Sequence, residues 1–329
     1  MRASYYKLGR ADKRLGYTVG YTQKLDNLQE VTDANARVAR AIAENARQEF
    51  ETKLDPMGWS HVLDAGDLGR TRESMKHFVR DWSEQGAEER KRIFTPILDV
   101  LKEVDGEQRV GMKVLVPGSG LGRLAWEVSE LGYDTTANEI SYFMTLAFRF
   151  LLSQSSTTSP NQHSIHPYAH WFSHQCKNDA LFRAIRFPDV LPRSSKSLRL
   201  AEQDFLSLPI PPADSTHGLP GYDFIVTLFF IDTSVNVFAT LRYIYALLKP
   251  GGTWINLGPL LWLGGAQARV ELSLEEVLHA AEEIGFNIEG DGAGGARQRK
   301  TVECEYTGDQ EAMMRWIYKS EFWVATKSK

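Results

Sequence analysis

The chain has only two cysteines in 329 residues, Cys176 and Cys304. They form no Cys-x-x-Cys pair and cannot build a disulfide framework. An excess of positive charge is also missing. Lys and Arg total 38 against 42 Asp and Glu, a formal charge of −4, which speaks against a strongly basic nucleic-acid binder. No stretch approaches the roughly 18 unbroken apolar residues of a membrane span, and the amino-terminal MRASYYKLGRADKRLGY lacks the apolar core of a secretory signal. These absences lead us to expect a protein of the cytoplasm or the nucleus, with no membrane and no nucleic acid among its partners. The chain is not short of core material, because 43% of its residues are hydrophobic and 11% aromatic. A wholly disordered chain is therefore excluded.

Residues 1–109 read as an all-helical cap. Leu25, Leu28, Val31, Val38 and Ile42 keep helical spacing, then Met75, Phe78, Val79 and Trp82 fall at i, i+3, i+4, i+7. Phe94, Ile97, Leu98 and Leu101 repeat that pattern, and the EERKR run at 88–92 reads as a solvated helix face. From 110 to 329 strands and helices alternate, as in an α/β sheet with helices on both faces. An irregular insertion, rich in Ser and Pro, spans about 154–198. Helices are expected at 141–153, 237–248 and 273–285, and a last strand at EFWVATK.

The motif that carries chemistry opens this second region. Val114-Leu115-Val116-Pro117 leads into Gly118-Ser119-Gly120-Leu121-Gly122, a strand-to-helix turn in which glycine permits positive φ and leaves the backbone open to a ligand. A nicotinamide fingerprint would place its third glycine at 123, where Arg123 stands. Glu139 ends the next strand, 21 residues after Gly118, where a carboxylate can accept ribose hydroxyl protons. Asp204-Phe205 ends the third strand and offers an acid for an adenine amine and a ring for stacking. The fourth strand, DFIVTLFF, carries Leu228 and delivers Asp232 to the carboxyl edge, where open α/β sheets bind ligands. LKPGG then precedes the fifth strand. The plain alternatives are a tight turn with a surface acid, and for Asp232 an N-cap to the following helix.

GxGxG, the following acid and LKPGG resemble class I S-adenosylmethionine-dependent methyltransferases. The wording of LVPGSGLGRLAWEVSELGY, ANEISYFM, FFIDTSVN, LKPGGTWINLGPLL, HFVRDWSEQG and YTGDQEAMMRWIY is similar to the carnosine N-methyltransferase family over roughly residues 72–325. That resemblance implies a seven-stranded Rossmann-like sheet behind a helical cap, S-adenosyl-L-methionine as donor, S-adenosyl-L-homocysteine as product, and a small imidazole- or peptide-like substrate. It implies that Arg80, Gly118, Gly120, Gly122, Glu139, Asp204, Phe205 and Leu228 attend the cofactor. His77 stands where the family usually carries glutamine. Asp232 and Tyr318 would hold the substrate and serve the transfer. Trp262 and Leu263 would line the same pocket, with Leu263 in place of the family's histidine.

An imidazole with a pKa near ~6.5 already offers a free lone pair at neutral pH. Asp232 would then accept a hydrogen bond from the other ring nitrogen rather than act as a strong base. Leu263 and Trp262 equally suit a specialised metabolite with a more apolar pocket, and a protein histidine methyltransferase is a further alternative. Tyr318 reads as part of an apolar helix with Met314 and Ile317. His163, His166, His170 and His174 have metal-ligand spacing, but Pro167 breaks a helical register, so no metal is expected. The residues leave the oligomeric state open.

Overall fold

The computed structural model describes residues 1–50, 65–193, 195–213, 218–262, 267–290 and 294–328. Helices come first: α1 (Arg2–Tyr5), α2 (Arg10–Thr18), α3 (Tyr21–Phe50), α4 (Ala65–Trp82) and α5 (Ala87–Lys102). Then follow β1 (Lys113–Pro117), α6 (Arg123–Glu130), β2 (Asp134–Asn138) and α7 (Tyr142–Leu152). The insertion holds β3 (His163–Ile165), α8 (Asn178–Phe182) and β4 (Ile185–Phe187). Next come β5 (Leu198–Ala201), β6 (Tyr222–Leu228), α9 (Val237–Leu247) and β7 (Leu248–Gly258). The chain finishes with α10 (Leu274–Ile284), β8 (Phe286–Ile288), β9 (Lys300–Cys304) and β10 (Tyr318–Lys327). No helix among the described residues is long and apolar enough to cross a membrane.

Contacts divide the chain into two units. One joins residues 1–85, 149–191 and 307–316; the other joins 86–148, 192–306 and 317–329. The second unit carries the sheet, in the order β5-β2-β1-β6-β7-β10-β8. β2, β1, β6 and β7 run parallel, with Lys113 opposite Asp134 and Val114 opposite Phe224, whereas β10 returns antiparallel against β7. This is the expected seven-stranded class I methyltransferase sheet. An eighth strand, β9, pairs with the amino-terminal half of β10.

Local sequence explains the elements that frame it. Ser273 and Glu276 form a capping box on α10, and Asn236 caps α9. Val237, Leu241, Ile244 and Leu247 of α9 and Val277 and Ala281 of α10 pack with Ile225, Trp254 and Trp323 in one core. Two polar devices lie inside the sheet. Lys249 Nζ sits 3.0 Å from both oxygens of Asp223, and Asp223 Oδ2 accepts the Lys113 N–H at 2.7 Å, tying the starts of β1, β6 and β7 together. The Trp254 indole N–H donates to Thr227 Oγ1, which donates to Asn256 Oδ1, both at 2.7 Å. The EERKR expectation needs correction. Glu89 and Arg90 are buried, because they fall on the face of α5 that also buries Ile93, Phe94 and Ile97.

The first unit is built on α3 and α4. The Asn35 side chain of α3 both donates to and accepts from the backbone of His166, at 3.0 and 2.7 Å. Phe78 of α4 packs on Phe187 at 4.3 Å. The insertion is less irregular than the sequence suggested, since β3 and β4 pair antiparallel. Its histidines do separate work: His163 lies between the rings of Phe150 and Phe187, and His166 Nδ1 contacts the Phe182 carbonyl at 2.7 Å.

Replacing Thr227 by Val should destabilise the sheet unit by about 1–3 kcal/mol, because the Trp254 N–H and Asn256 Oδ1 lose a buried partner. Equilibrium denaturation monitored by tryptophan fluorescence would measure it.

Candidate functional site

The glycine turn sits at the carboxyl end of β1. Gly118, Gly120 and Gly122 have φ of 62°, 55° and 73°, a region that residues with a Cβ adopt reluctantly. Space excludes larger residues as well. A Cβ on Gly118 would lie 2.7 Å from the Phe230 ring, and one on Gly122 would lie 2.2 Å from the Phe148 ring. Glu139 follows β2 and closes the turn. Its Oε2 accepts the Gly120 N–H at 3.1 Å, and its Oε1 accepts the N–H groups of Ile140 and Ser141 at 2.9 and 2.8 Å. An ionised carboxylate has about four acceptor sites, so Glu139 spends most of its capacity shaping the loop and keeps a remainder for a ligand.

Asp204 is exposed, and its Oδ1 accepts the Leu206 N–H at 2.9 Å, capping a short 3-10 turn. The expectation of a free stacking ring beside it needs correction. Phe205 is buried edge-on against Phe230 at 5.2 Å and Tyr243 at 5.5 Å, because the turn that Asp204 caps directs the ring into the core. Leu228 is the last residue of β6 and is half-buried.

Beyond Leu228 the chain bends sharply, with Phe229 at φ 51°. The bend brings Asp232 into a buried position, 6% exposed. Its Oδ2 accepts the Leu261 N–H at 3.0 Å. Helix capping is done by Asn236 instead. Burial raises the Asp232 carboxyl to about 6, and the hydrogen bonds from the Leu261 and Asp232 backbone oppose that rise.

Tyr318 is placed otherwise than the sequence suggested. It is the first residue of β10, not part of a helix with Met314 and Ile317. The apolar spacing there reflects the exposed approach to a strand whose inward residues begin at Ser320. The Tyr318 ring meets Phe229 edge-on at 6.1 Å, and Tyr306, which the sequence reading missed, packs on the same ring at 4.8 Å. The signal for Tyr306 was available, since YTGD begins with it. Trp262 donates its indole N–H to the Leu272 carbonyl at 2.9 Å and packs against the α9–α10 core. Leu263 lies outside the described residues.

His77 and Arg80 belong to α4 in the helical unit. Arg80 donates twice to Asp81, at 2.7 and 3.1 Å, and both side chains are buried. Burial, then the nearby Arg80 charge, lowers His77 to about 3, against a smaller opposing effect of Asp81. His77 is therefore neutral at physiological pH.

Comparison with known proteins bears on this arrangement. The family profile described as carnosine N-methyltransferase matches residues 58–329. The carnosine N-methyltransferase of Schizosaccharomyces pombe is 31% identical, covering 94% of this chain and 84% of that protein. Its counterpart from Mus musculus is 34% identical, covering 92% and 75%. Among solved structures, TehB from Haemophilus influenzae aligns with a TM-score of 0.43 at 14% identity, over 71% of this chain and 62% of that one.

The raised Asp232 carboxyl has a consequence for stability. An unfolded Asp ionises near 3.8 and the folded one near 6, so the native state holds the proton more tightly and loses stability as pH rises between those values. Asp232→Asn removes the ionisation. The variant should exceed the parent in unfolding free energy at pH 8 by up to about 3 kcal/mol, with the gain shrinking to nothing near pH 4. Denaturation curves at both pH values test this.

Proposed function

The chain belongs to the carnosine N-methyltransferase family, and from that membership we propose that it methylates an imidazole nitrogen of carnosine or of a related small imidazole-bearing peptide. The donor is S-adenosylmethionine, which when bound supplies a methyl group on a positively charged sulfur. The observation that carries the reading of the site is Asp232, a buried carboxylate just past the carboxyl end of β6, three residues after Phe229, whose ring meets those of Tyr306 and Tyr318.

The fit of this chain to the donor rests on the turn and its acid. Left-handed glycines at alternate positions, Gly118, Gly120 and Gly122, leave the backbone after β1 without a Cβ at three points, and Glu139 retains acceptor capacity at the end of β2. Gly118, Gly120, Gly122, Glu139, Asp204 and Leu228 would hold the donor, with Phe205 supporting the wall from behind. For His77 and Arg80 of α4 a role toward the donor is proposed on the family resemblance alone, and Asp81 fixes the Arg80 guanidinium within the helical unit.

Methyl transfer to an imidazole is an in-line displacement, so orientation and exclusion of water dominate. The neutral ring attacks through one nitrogen, a C–N bond forms as the carbon–sulfur bond breaks, and the ring gains positive charge. Asp232 accepts the hydrogen bond from the other ring N–H, fixes the tautomer and faces the growing charge. The Leu261 N–H holds its Oδ2, which keeps the carboxylate from rotating away. The ring N–H proton then passes to solvent and leaves a neutral product. Phe229, Tyr306 and Tyr318 offer flat walls to a planar acceptor, and Trp262 is proposed to border it. A more apolar, specialised acceptor is favoured by one feature, the leucine at 263.

The deciding assay is mass spectrometry of a +14 product with carnosine, free histidine, imidazole-bearing dipeptides and histidine-containing peptides. Product on carnosine is expected; product only on longer peptides or apolar metabolites would replace the proposed acceptor. Asp232→Asn should lower kcat roughly a hundredfold or more while donor affinity, read by calorimetry, stays within about twofold. Glu139→Ala should do the reverse, weakening donor binding roughly tenfold or more. In the parent enzyme kcat/KM should fall below pH 6 as Asp232 takes up its proton.

A further inference from the structure

Three segments of the sheet unit are tied together around Asp232, and each is anchored to a regular element. The first, 229–235, runs from the end of β6 to Asn236, the cap of α9, whose Oδ1 accepts the Ala239 N–H at 3.3 Å. The second, 259–262, leaves the end of β7. The third, 267–272, leads to Ser273, the cap of α10, whose N–H donates to Glu276 Oε2 at 2.8 Å. A hydrogen bond joins every pair of these segments. The Leu261 N–H donates to Asp232 Oδ2 at 3.0 Å, the Arg269 N–H to the Val235 carbonyl at 2.8 Å, and the Trp262 indole N–H to the Leu272 carbonyl at 2.9 Å. The three bonds close a triangle, and all of its members belong to one unit.

Of these three bonds, the one from Trp262 alone has a side chain as its donor. Trp262 directly follows Leu261, so holding its ring holds the backbone beside the Leu261 N–H. The Leu261 side chain gives no such purchase, because it is 66% exposed, whereas Leu260, Trp262, Val270 and Leu272 pack against the α9–α10 core. An indole N–H that leaves water needs a partner, and here the partner lies on the segment that is also bonded to the Asp232 loop. The charge of Asp232 is sensitive to this arrangement. Burial raises its carboxyl, the Leu261 N–H and its own backbone N–H oppose the rise, and no charged side chain among the described residues contributes. The aim of the Leu261 amide therefore bears both on where the carboxylate points and on how readily it ionises.

We propose that Trp262 is a positioning residue for Asp232, a brace whose indole N–H, anchored on the Leu272 carbonyl, keeps the Leu261 N–H aimed at the carboxylate that faces the methyl acceptor. The proposal rests on the reading of Asp232 as the group that orients the acceptor ring. Trp262 acts here through its N–H, a role separate from bordering the acceptor. Without that N–H the Leu272 carbonyl loses its donor, and 259–262 loses its tie to the approach to α10. The hydrogen bond to Asp232 Oδ2 then weakens. The carboxylate ionises less readily and is less well directed, so turnover suffers while acceptor binding does not.

The test uses the full chain and two independent readouts. Trp262→Phe keeps an aromatic ring and removes the N–H. In NMR of protein carrying isotope-labelled aspartate, the Asp232 carboxyl signal is identified by its loss in Asp232→Asn. It should titrate at about 6 in the parent and about one pH unit higher in Trp262→Phe. Trp262→His, whose Nε2–H occupies the same ring position as the indole N–H, should fall between the two. Leu261→Pro deletes the amide donor itself and should raise the titration at least as far, and adding Trp262→Phe to it should add little. On the acceptor that the parent methylates, Trp262→Phe should lower kcat about tenfold, with acceptor KM and donor affinity each within about twofold. The acid limb of its pH profile should move with the titration. An Asp232 titration that Trp262→Phe leaves in place overturns the brace, whatever the acceptor. A shifted titration with an unchanged kcat overturns its positioning role, as does a raised KM with kcat and titration unmoved, which marks a contact alone. A parent that methylates no imidazole acceptor defeats the proposed function, and the titration then still decides whether the brace exists.

Discussion

The turn after β1 is the constraint from which the rest of the sheet unit takes its bearings. Three left-handed glycines there would be conformationally loose in isolation, yet each is engaged by a different part of the fold. Glu139 at the end of β2 takes the Gly120 N–H, the Ser119 N–H donates to the Asn138 carbonyl, and Phe230 beyond β6 presses against Gly118. Phe148 of α7 does the same at Gly122. The turn therefore binds β1 to β2, the end of β6 and α7 through close contacts that no side chain at the glycines would permit. A single alanine at Gly118 or Gly122 would strain the backbone and collide with a ring at the same time.

That mutual dependence explains what was legible in the sequence. The glycines, Glu139 and the strand ends appear as a local pattern with fixed spacing, because each is a backbone requirement that few residue types meet. The position of Asp232 past the end of β6 was legible in the same way, whereas the cap of α9, the plain alternative for this acid, falls to Asn236. Phe205 was misread because a ring after an acid carries no mark of which way it points. The cap by Asp204 and the neighbours Phe230 and Tyr243 decide that, and they come from distant segments. Tyr318 was misread as helical since Met314 and Ile317 happen to keep a helical interval, whereas pairing with β7, β8 and β9 makes the segment a strand. Glu89 and Arg90 look like a solvated run because burial of charge in α5 depends on tertiary partners that composition does not reveal.

The division of the chain into units was the least legible feature. Pattern suggests a boundary near 109, where helices give way to strands. Contacts group α5 with the sheet, where Ile93, Phe94 and Ile97 are buried, and group the insertion and residues 307–316 with α1–α4. Hydrophobic periodicity reports which face of an element is apolar, but not which neighbour covers that face. Only a long-range pairing such as Asn35 with His166 fixes the partner, and a lone asparagine inside a helix gives no sequence signal of it.

The chemistry of Asp232 draws these threads together. A carboxylate that is to face an imidazole gaining positive charge must be ionised at working pH, yet must be dry enough for its charge to be felt. Burial supplies the dryness and raises its pKa toward the working range; the Leu261 N–H pulls in the opposite direction and limits the rise to about 6. With less burial the acid would be screened by water, and without the backbone hydrogen bond it would hold its proton closer to neutrality and lose its charge. That value and the ~6.5 of a free imidazole fall in the same range. In the interval above it the acid is charged while a growing fraction of the acceptor is neutral, which is the pairing of protonation states that nucleophilic attack by the ring requires.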